Sequence, residues 1–388
     1  MSSKKKRRIA VVTGSRAEYG LLFWLLKELK KTSSIQLQLI VTGMHLSPEF
    51  GLTYKGIEDD GFTISSKVEM LCSSDSTVGM AKSVGLGIIG FCDAFMMLKP
   101  DLVLITGDRF EMFSAATAAM CMRIPIAHIG GGENSEGAID EAIRHSMTKM
   151  SHVHFCSNKQ SYEKILQLGE DPAKVFCVGS LGLDILCSID LLSRQQLYSE
   201  LKLDINKGTA IVVHHPVTLE KNTSKKTFGD ILAALDRYAG NIIFLGSNAD
   251  ADGRIINEMI KKYVKKNARA KYFINLDRRV YFSLLKHAEI MLGNSSSGIC
   301  EAPSFRLPVV NIGERQKGRV KAKNNIDVGA STKEISEGMK KALSAGFKRS
   351  IKNVKNPYFL GRVGPKIASI LDKIEISEDI IKKGFVKI

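Results

Sequence analysis

The feature that most constrains this chain is an alternation kept up along its whole length: short runs rich in β-branched residues, each followed by a stretch of helical periodicity. RIAVVTG (8–14), IQLQLIVTG (35–43), DLVLITG (101–107), IPIAHIGGG (124–132), VHFCS (153–157) and KVFCVGS (174–180) read as strands that are apolar on both faces. After a pause at CSIDLLSRQQLYSELKLDINKG (187–208) the pattern restarts with TAIVVHH (209–215), NIIFLGS (241–247), KYFINL (271–276), EIMLGNSSSG (289–298) and PVVNIG (308–313). Strand, helix and strand repeated in this way require parallel sheets covered by helices on both sides. A chain of 388 residues also exceeds what one hydrophobic core holds. The reading is therefore α/β, with two Rossmann-like, doubly wound parallel-sheet domains spanning 1–188 and 189–388, and a cleft between them is expected.

Composition narrows the function classes. Of the net charge of +16, five charges lie in Lys4–Arg8, and most other basic residues fall on the polar faces of amphipathic helices such as WLLKELKK and MIKKYVKKNARAK. Aromatic residues do not interleave with them as base stacking requires, so no nucleic-acid partner is expected, and an anionic small substrate accounts for the charge equally well. The longest apolar run, VGLGIIGFCDAFMML (84–98), is broken by Asp93 and by glycines, so no membrane span is expected. MSSKKKRRIAVVTG lacks the long apolar core of a secretory signal, and the chain is read as cytoplasmic. Seven cysteines without a C-x-x-C pair point to buried free thiols rather than to disulfides or a zinc site.

Ligands of doubly wound sheets bind outside the carboxyl ends of the strands, and that rule selects the informative residues. Asp108 follows LVLITG directly and is either a helix N-cap or a catalytic carboxylate. Arg16 and Arg109 follow glycine-terminated strands and suit phosphate oxygens; the alternative for each is an ion pair with Glu18 or Glu111. The stretch IAHIGGGENSEGAIDEAIRHS (126–146) adds Glu133, Asp140, Glu141, His128 and His145 behind a strand, with three glycines that would let backbone approach a ligand. Asp140 and Arg144 lie four residues apart on the helix that follows. His215, in VVHHPVT, leaves its strand extended because Pro216 excludes helical backbone before it, whereas His214 has the opposite parity. In GNSSSGICE, Asn294 and Ser295–Ser297 are read as capping a short helix whose free N–H groups suit a diphosphate. Glu301 is placed to accept ribose hydroxyls, and Arg315 is a further cationic candidate.

As an ordered set, VTGSRAEYG, VTGMH, GDRFEMFSAA, HIGGGENSEGAIDEAIRHSMTKMSH, QLGE, HHPVT, GSNAD, GNSSSG, NIGERQKGR and NPY resemble the hydrolysing UDP-N-acetylglucosamine 2-epimerases, over most of the chain from residue 12 to about 358. The resemblance implies a GT-B fold, a C-terminal helix crossing back to the first domain, no metal, no cofactor, and a homo-oligomer, dimer or tetramer. By motif match it implies Asp108, Asp140 and His215 as catalytic and Arg16, Arg109, Asn248, Ser295, Ser296, Glu301 and Arg315 as substrate-binding. The chain departs from relatives at Gly130, where a glutamate often stands; Glu133 is the nearest acid and takes its place among the catalytic residues. The implied reaction converts UDP-N-acetylglucosamine to N-acetylmannosamine and UDP, for sialic acid synthesis, by elimination to a glycal and hydration. The alternatives are the same reaction on UDP-2,4-diacetamido-2,4,6-trideoxyglucose for legionaminic acid, or sugar transfer by a GT-B glycosyltransferase.

Overall fold

The computed structural model describes residues 6–72, 76–134, 139–216, 224–246, 253–274 and 276–387. They form two compact units, one within Met1–Glu133, Ile139–Cys187 and Leu360–Ile388, the other within Asn134–Ala138 and Ser188–Phe359. The first unit runs β1 (Arg7–Thr13), α1 (Arg16–Lys31), β2 (Ile35–Thr42), α2 (Tyr54–Asp59), β3 (Ile64–Val68), α3 (Thr77–Leu98), β4 (Leu102–Thr106), α4 (Phe110–Cys121), β5 (Ile126–Ile129), α5 (Ile139–Met150), β6 (Val153–Cys156), α6 (Lys159–Gln167) and β7 (Val175–Cys177). The second runs α7 (Arg194–Glu200), β8 (Thr209–Val213), α8 (Ser224–Leu235), β9 (Asn241–Leu245), α9 (Gly253–Lys266), β10 (Ala270–Phe273), α10 (Arg278–His287), β11 (Ile290–Gly293), α11 (Ser297–Cys300), β12 (Val309–Ile312), β13 (Asn325–Val328), α12 (Thr332–Leu343) and α13 (Ala345–Ser350). The chain then returns to the first unit as α14 (Val363–Lys373).

Both sheets are parallel, ordered β3-β2-β1-β4-β5-β6-β7 and β10-β9-β8-β11-β12-β13. Strand order reverses between β1 and β4 and again between β8 and β11, so loops leaving those neighbours turn to opposite faces and open a crevice at the strand ends. Alternate side chains of β1 feed two separate cores, because successive strand residues point to opposite faces. Ile9 and Val11 meet Leu22, Leu25, Leu26 and Leu29 of α1 and Val363, Ile367 and Leu371 of α14. Ala10 and Val12 meet Phe91 and Phe95 of α3 and Met112, Ala115 and Ala119 of α4. Each fully buried leucine on α1 contributes about 1.5–3 kcal/mol, which fixes the helix and with it the Gly14–Arg16 turn at its start. The second sheet is covered in the same way by α8, α9 and α12 on one face and by α7 and α10 on the other.

Two strands carry no clear sequence signal, β3 and β13, and both are edges with mixed exposure. Helix α3 corrects the reading of its apolar run: at 22 residues it is long and apolar enough to cross a membrane by length and composition. Its inward face, with Phe91 and Phe95, nevertheless packs on the first sheet, while Val78, Leu86, Ile89, Met96 and Met97 are exposed. The thiols also differ from expectation. All seven are free, but Cys121, Cys177 and Cys187 are exposed and only Cys156 is fully buried.

Candidate active site

At the reversal point of the first sheet, Gly107 turns the chain with a positive φ of 79° and delivers Asp108 and Arg109 beyond β4. Arg109, not Asp108, occupies the N-cap of α4, and it makes no side-chain cap bond. The carboxylate of Asp108 serves a different purpose: it pairs with Nη2 of Arg144 from α5. Arg144 is almost fully buried. Its Nη1 donates to the Glu133 carbonyl at 2.7 Å and to Oε2 of Glu141 at 3.2 Å, and Glu141 in turn lies 3.2 Å from Nε2 of His145. Glu133 accepts the Ser157 hydroxyl at 2.7 Å, from just beyond β6. Two carboxylates at adjacent strand ends thus have different partners, an arginine for Asp108 and a hydroxyl for Glu133.

Arg109 forms the ion pair that was the alternative to phosphate binding. Its Nε and Nη2 reach the Glu111 oxygens at 3.1 and 2.9 Å, and Glu111 is fully buried. Burial works against the guanidinium charge, but Glu111, Glu18 and Asp140 outweigh it and hold Arg109 above its ordinary value. The same cluster pushes Glu18 up to about 7, first by burial and then by the charge of Glu111. Asp140 is therefore electrostatically part of the Arg109 neighbourhood. Arg16 is exposed in the first turn of α1 and makes no hydrogen bond or ion pair among the described residues.

In the second unit the reversal point lies at the ends of β8 and β11. Gly293 has φ +127° there, and a Cβ on it would fall 1.9 Å from the Val213 carbonyl oxygen. Only glycine lets the two strand ends approach this closely. Asn294 is buried and does not cap a helix; it accepts from the His215 N–H at 2.7 Å and donates to the His215 carbonyl at 2.8 Å. Its own carbonyl accepts Arg315 at 3.0 Å and Gln316 at 2.9 Å, so one asparagine joins His215 to Arg315. Burial, then Arg315 and His214, lower His215 to about 3 and leave its imidazole neutral at physiological pH. His214 is buried as well, lowered to about 4, with its ring 6.1 Å from Phe228.

The expected serine-capped helix is different in detail. Helix α11 has four residues, Ser296 at its N-cap makes no side-chain cap bond, and Ser295 Oγ instead accepts Ser297 N at 3.3 Å. Four residues are too few to sum a useful macrodipole, so the hydroxyls rather than the helix are what Ser295 and Ser296 offer. Glu301 ends α11, half-buried, and its charge is one reason, after burial, that Tyr281 is held above the ordinary phenol value. Asn248 lies outside the described residues.

The glycines of 130–132 are also explained differently. A Cβ on Gly132 (φ +75°) would fall 2.2 Å from the Ser161 carbonyl, and one on Gly131 would meet Thr148 and His128; these two serve internal packing against α5 and α6. His128 is buried and bonded to the Gly107 carbonyl at 2.8 Å, a structural role. Sequence reasoning missed Asn294, Gln316 and Ser157 as organising residues, and only the position of each beside a strand end could have pointed to them. Among the described residues no group of three or more His, Cys, Asp or Glu side chains is arranged to hold a metal.

A family profile described as UDP-N-acetylglucosamine 2-epimerase matches residues 27–372. The chain belongs to the UDP-N-acetylglucosamine 2-epimerase family. It is 43% identical, over 89% of its length and 90% of the relative's, to a Campylobacter jejuni protein named GDP/UDP-N,N'-diacetylbacillosamine 2-epimerase (hydrolyzing). It is 38% identical, over 97% of its length and 95% of the relative's, to the Escherichia coli polysialic acid biosynthesis protein P7. The crystal structure of UDP-GlcNAc 2-epimerase from Neisseria meningitidis bound to UDP-GlcNAc shares the fold, with a TM-score of 0.83 at 20% identity over 95% of this chain and all of that one. The epimerase is one of the family's hydrolysing members, a nucleotide-sugar 2-epimerase with two parallel-sheet, Rossmann-like units of the GT-B type.

Proposed function

We propose that this epimerase acts on UDP-linked N,N'-diacetylbacillosamine, a 2,4-diacetamido-2,4,6-trideoxy sugar, and releases UDP and the free 2-epimer. The sequence alone favoured UDP-N-acetylglucosamine and kept the diacetamido sugar as the alternative; the 43% identity to the Campylobacter jejuni enzyme reverses that order. UDP-N-acetylglucosamine remains the second reading, favoured by the 38% identity to the polysialic acid protein.

The observation that carries the chemistry is the contrast between Asp108, paired with buried Arg144, and Glu133, held by a neutral hydroxyl. Two carboxylates in unlike environments suit a cycle that both abstracts and donates protons. A carboxylate takes the proton from carbon 2 as UDP leaves carbon 1, giving a glycal. Water then adds to carbon 1 and a proton returns to carbon 2 on the opposite face. Asp108, Glu133 and Asp140 share these acid and base roles. Arg16 and Arg315 offset the charge that develops on the leaving diphosphate, whereas Arg109 stays paired with Glu111. His215, being neutral, acts by donating a hydrogen bond rather than by its charge. Asn248, Ser295, Ser296 and Glu301 hold the nucleotide.

Homo-oligomerisation belongs to the same reading, supported by the exposed apolar face of α3. Release of nucleoside diphosphate from UDP-N-acetylglucosamine, from the UDP-linked diacetamido sugar and from its GDP-linked counterpart tests the substrate. The UDP-linked diacetamido sugar should give the highest kcat/KM, and a preference for either competitor would replace this assignment.

A further inference from the structure

Cys156 and Cys177 are register partners on the parallel strands β6 and β7. Adjacent strands run about 4.8 Å apart, which lies within the Cα separation a disulfide tolerates, about 4.4–6.8 Å. Neighbouring register partners point to the same face, so the two thiols lie side by side across the strand pair. They are unlike in every other respect. Cys156 is fully buried, whereas Cys177 is exposed and lines a surface cavity of about 690 Å³ together with Phe176, Pro365, Lys366 and Ile370.

The neighbouring Cys156 thiol and the charge of Lys366 favour the thiolate of Cys177, lowering it to about 7 against the opposing effect of burial. Cys156 is pushed the other way, first by the neighbouring Cys177 and then by burial, with Glu133 among the charges that raise it. The Cys156 thiol donates to the Phe176 carbonyl at 3.6 Å, a long contact that leaves the sulfur free to meet Cys177. An exposed thiolate beside a buried partner thiol, reached through an open cavity, is the arrangement of an oxidant-sensitive cysteine and its resolving cysteine.

We propose that Cys177 and Cys156 form a reversible modification site for peroxides, closing to an intrachain disulfide that disturbs the support of Glu133. The Cys177 thiolate attacks one peroxide oxygen, so that an S–O bond forms as the O–O bond breaks and hydroxide leaves. Cys156 then attacks the Cys177 sulfur, the S–S bond forms, the S–O bond breaks, and water departs with the Cys156 proton. Two thiols lose two electrons and two protons, and one peroxide becomes two waters. The next residue after Cys156 is Ser157, whose hydroxyl holds Glu133 at 2.7 Å. Drawing the sulfurs together to about 2.05 Å pulls this strand end toward β7. The link itself does not depend on the proposed role of Glu133; its effect on turnover does.

The exposed Cys121 and Cys187 are internal controls. At pH 7 a thiol at about 7 is half thiolate, against roughly 3% for an ordinary one at ~8.5, and its lower basicity returns about sixfold of that advantage. Alkylation of the full-length protein with iodoacetamide should therefore label Cys177 about threefold faster than Cys121 or Cys187. Hydrogen peroxide should remove the mass of two hydrogens and join the Cys156 and Cys177 peptides, and dithiothreitol should reverse this. In Cys156→Ser, Cys177 should stop at a sulfenic acid trapped by dimedone. Turnover should fall about tenfold on oxidation, the worth of one hydrogen bond to a charged group, and Cys177→Ser should keep its turnover in peroxide. Labelling of Cys177 no faster than the controls, or peroxide that joins other cysteines or none, would overturn the site. A Cys156–Cys177 link that leaves turnover unchanged would overturn its connection to Glu133 and leave the site standing.

Discussion

The first unit keeps four buried histidines neutral and holds one buried carboxyl, Glu18, at about 7, and their opposed proton linkages set its stability in acid. Burial is the leading cause that holds His45, His128 and His152 at about 4, below the usual 6.5. The unfolded chain takes these protons first, so the stability they contribute is complete above about 6.5 and is lost as the pH falls toward 4. Glu18 runs the other way. Its folded form, raised from 4.5 to about 7, binds a proton more tightly than the unfolded chain, so it stabilises the unit as the pH falls from 7 toward 4.5. Between pH 7.5 and 5.5 each histidine removes about 1.3 kcal/mol, about 4 for the three, and Glu18 returns about 2. His154 is lowered as well, chiefly by burial, and acts in the same direction as the other three. Trp24 on α1 is the only tryptophan in the sequence, so its emission during urea unfolding reports on this unit. With a slope of about 2 kcal/mol per molar urea, the midpoint should fall by about 1 M or more in the wild type, and by about 1 M further in Glu18→Gln. Equal shifts in both proteins would show that Glu18 is already ionised. No shift in either would show that the histidines exchange no protons on unfolding.

Replacing Asp108 with Asn should cut kcat by about 10²–10⁴, the usual worth of a positioned acid or base, while calorimetric UDP binding changes by no more than a few fold; retained turnover would remove Asp108 from the chemistry. Asn294→Ala strips two hydrogen bonds from the buried His215 backbone, which should cost the second unit about 2–4 kcal/mol and raise KM, read by denaturation followed by circular dichroism and by steady-state kinetics. On α3, Ile89→Lys places a charge in the exposed apolar face and should shift light-scattering mass toward the monomer without lowering the melting temperature.

Much of the fold was legible because β1, β4 and β5, like β8, β9, β11 and β12, are buried on both faces and therefore read as apolar runs. β3 and β13 were not, because an edge strand is wet on one side and ISSKV and NIDV look like loops. The candidate residues were found by their place at strand ends, which is a property of position. Their partners were not, because partnership is a property of three dimensions. Spacing alone could join Arg144 only to neighbours on its own helix, yet the fold carries it to Asp108, 36 residues away. The role of Asn294 was hidden for the same reason: as one letter in GNSSSG it looks like a cap, and only the pairing of β8 with β11 sets it against His215. Likewise the glycines of 130–132 looked like room for a ligand, whereas Gly132 gives its space to the backbone of α6.

Proton NMR of turnover in deuterated water, with the UDP-linked diacetamido sugar as substrate, tests the central claim most directly. Elimination and hydration take the carbon 2 proton into solvent and return one from it, so the released 2-epimer should carry deuterium at carbon 2 together with free UDP. A released sugar that keeps its original proton at carbon 2 would contradict the mechanism, because UDP would then have left without the carboxylates of the first unit touching carbon 2.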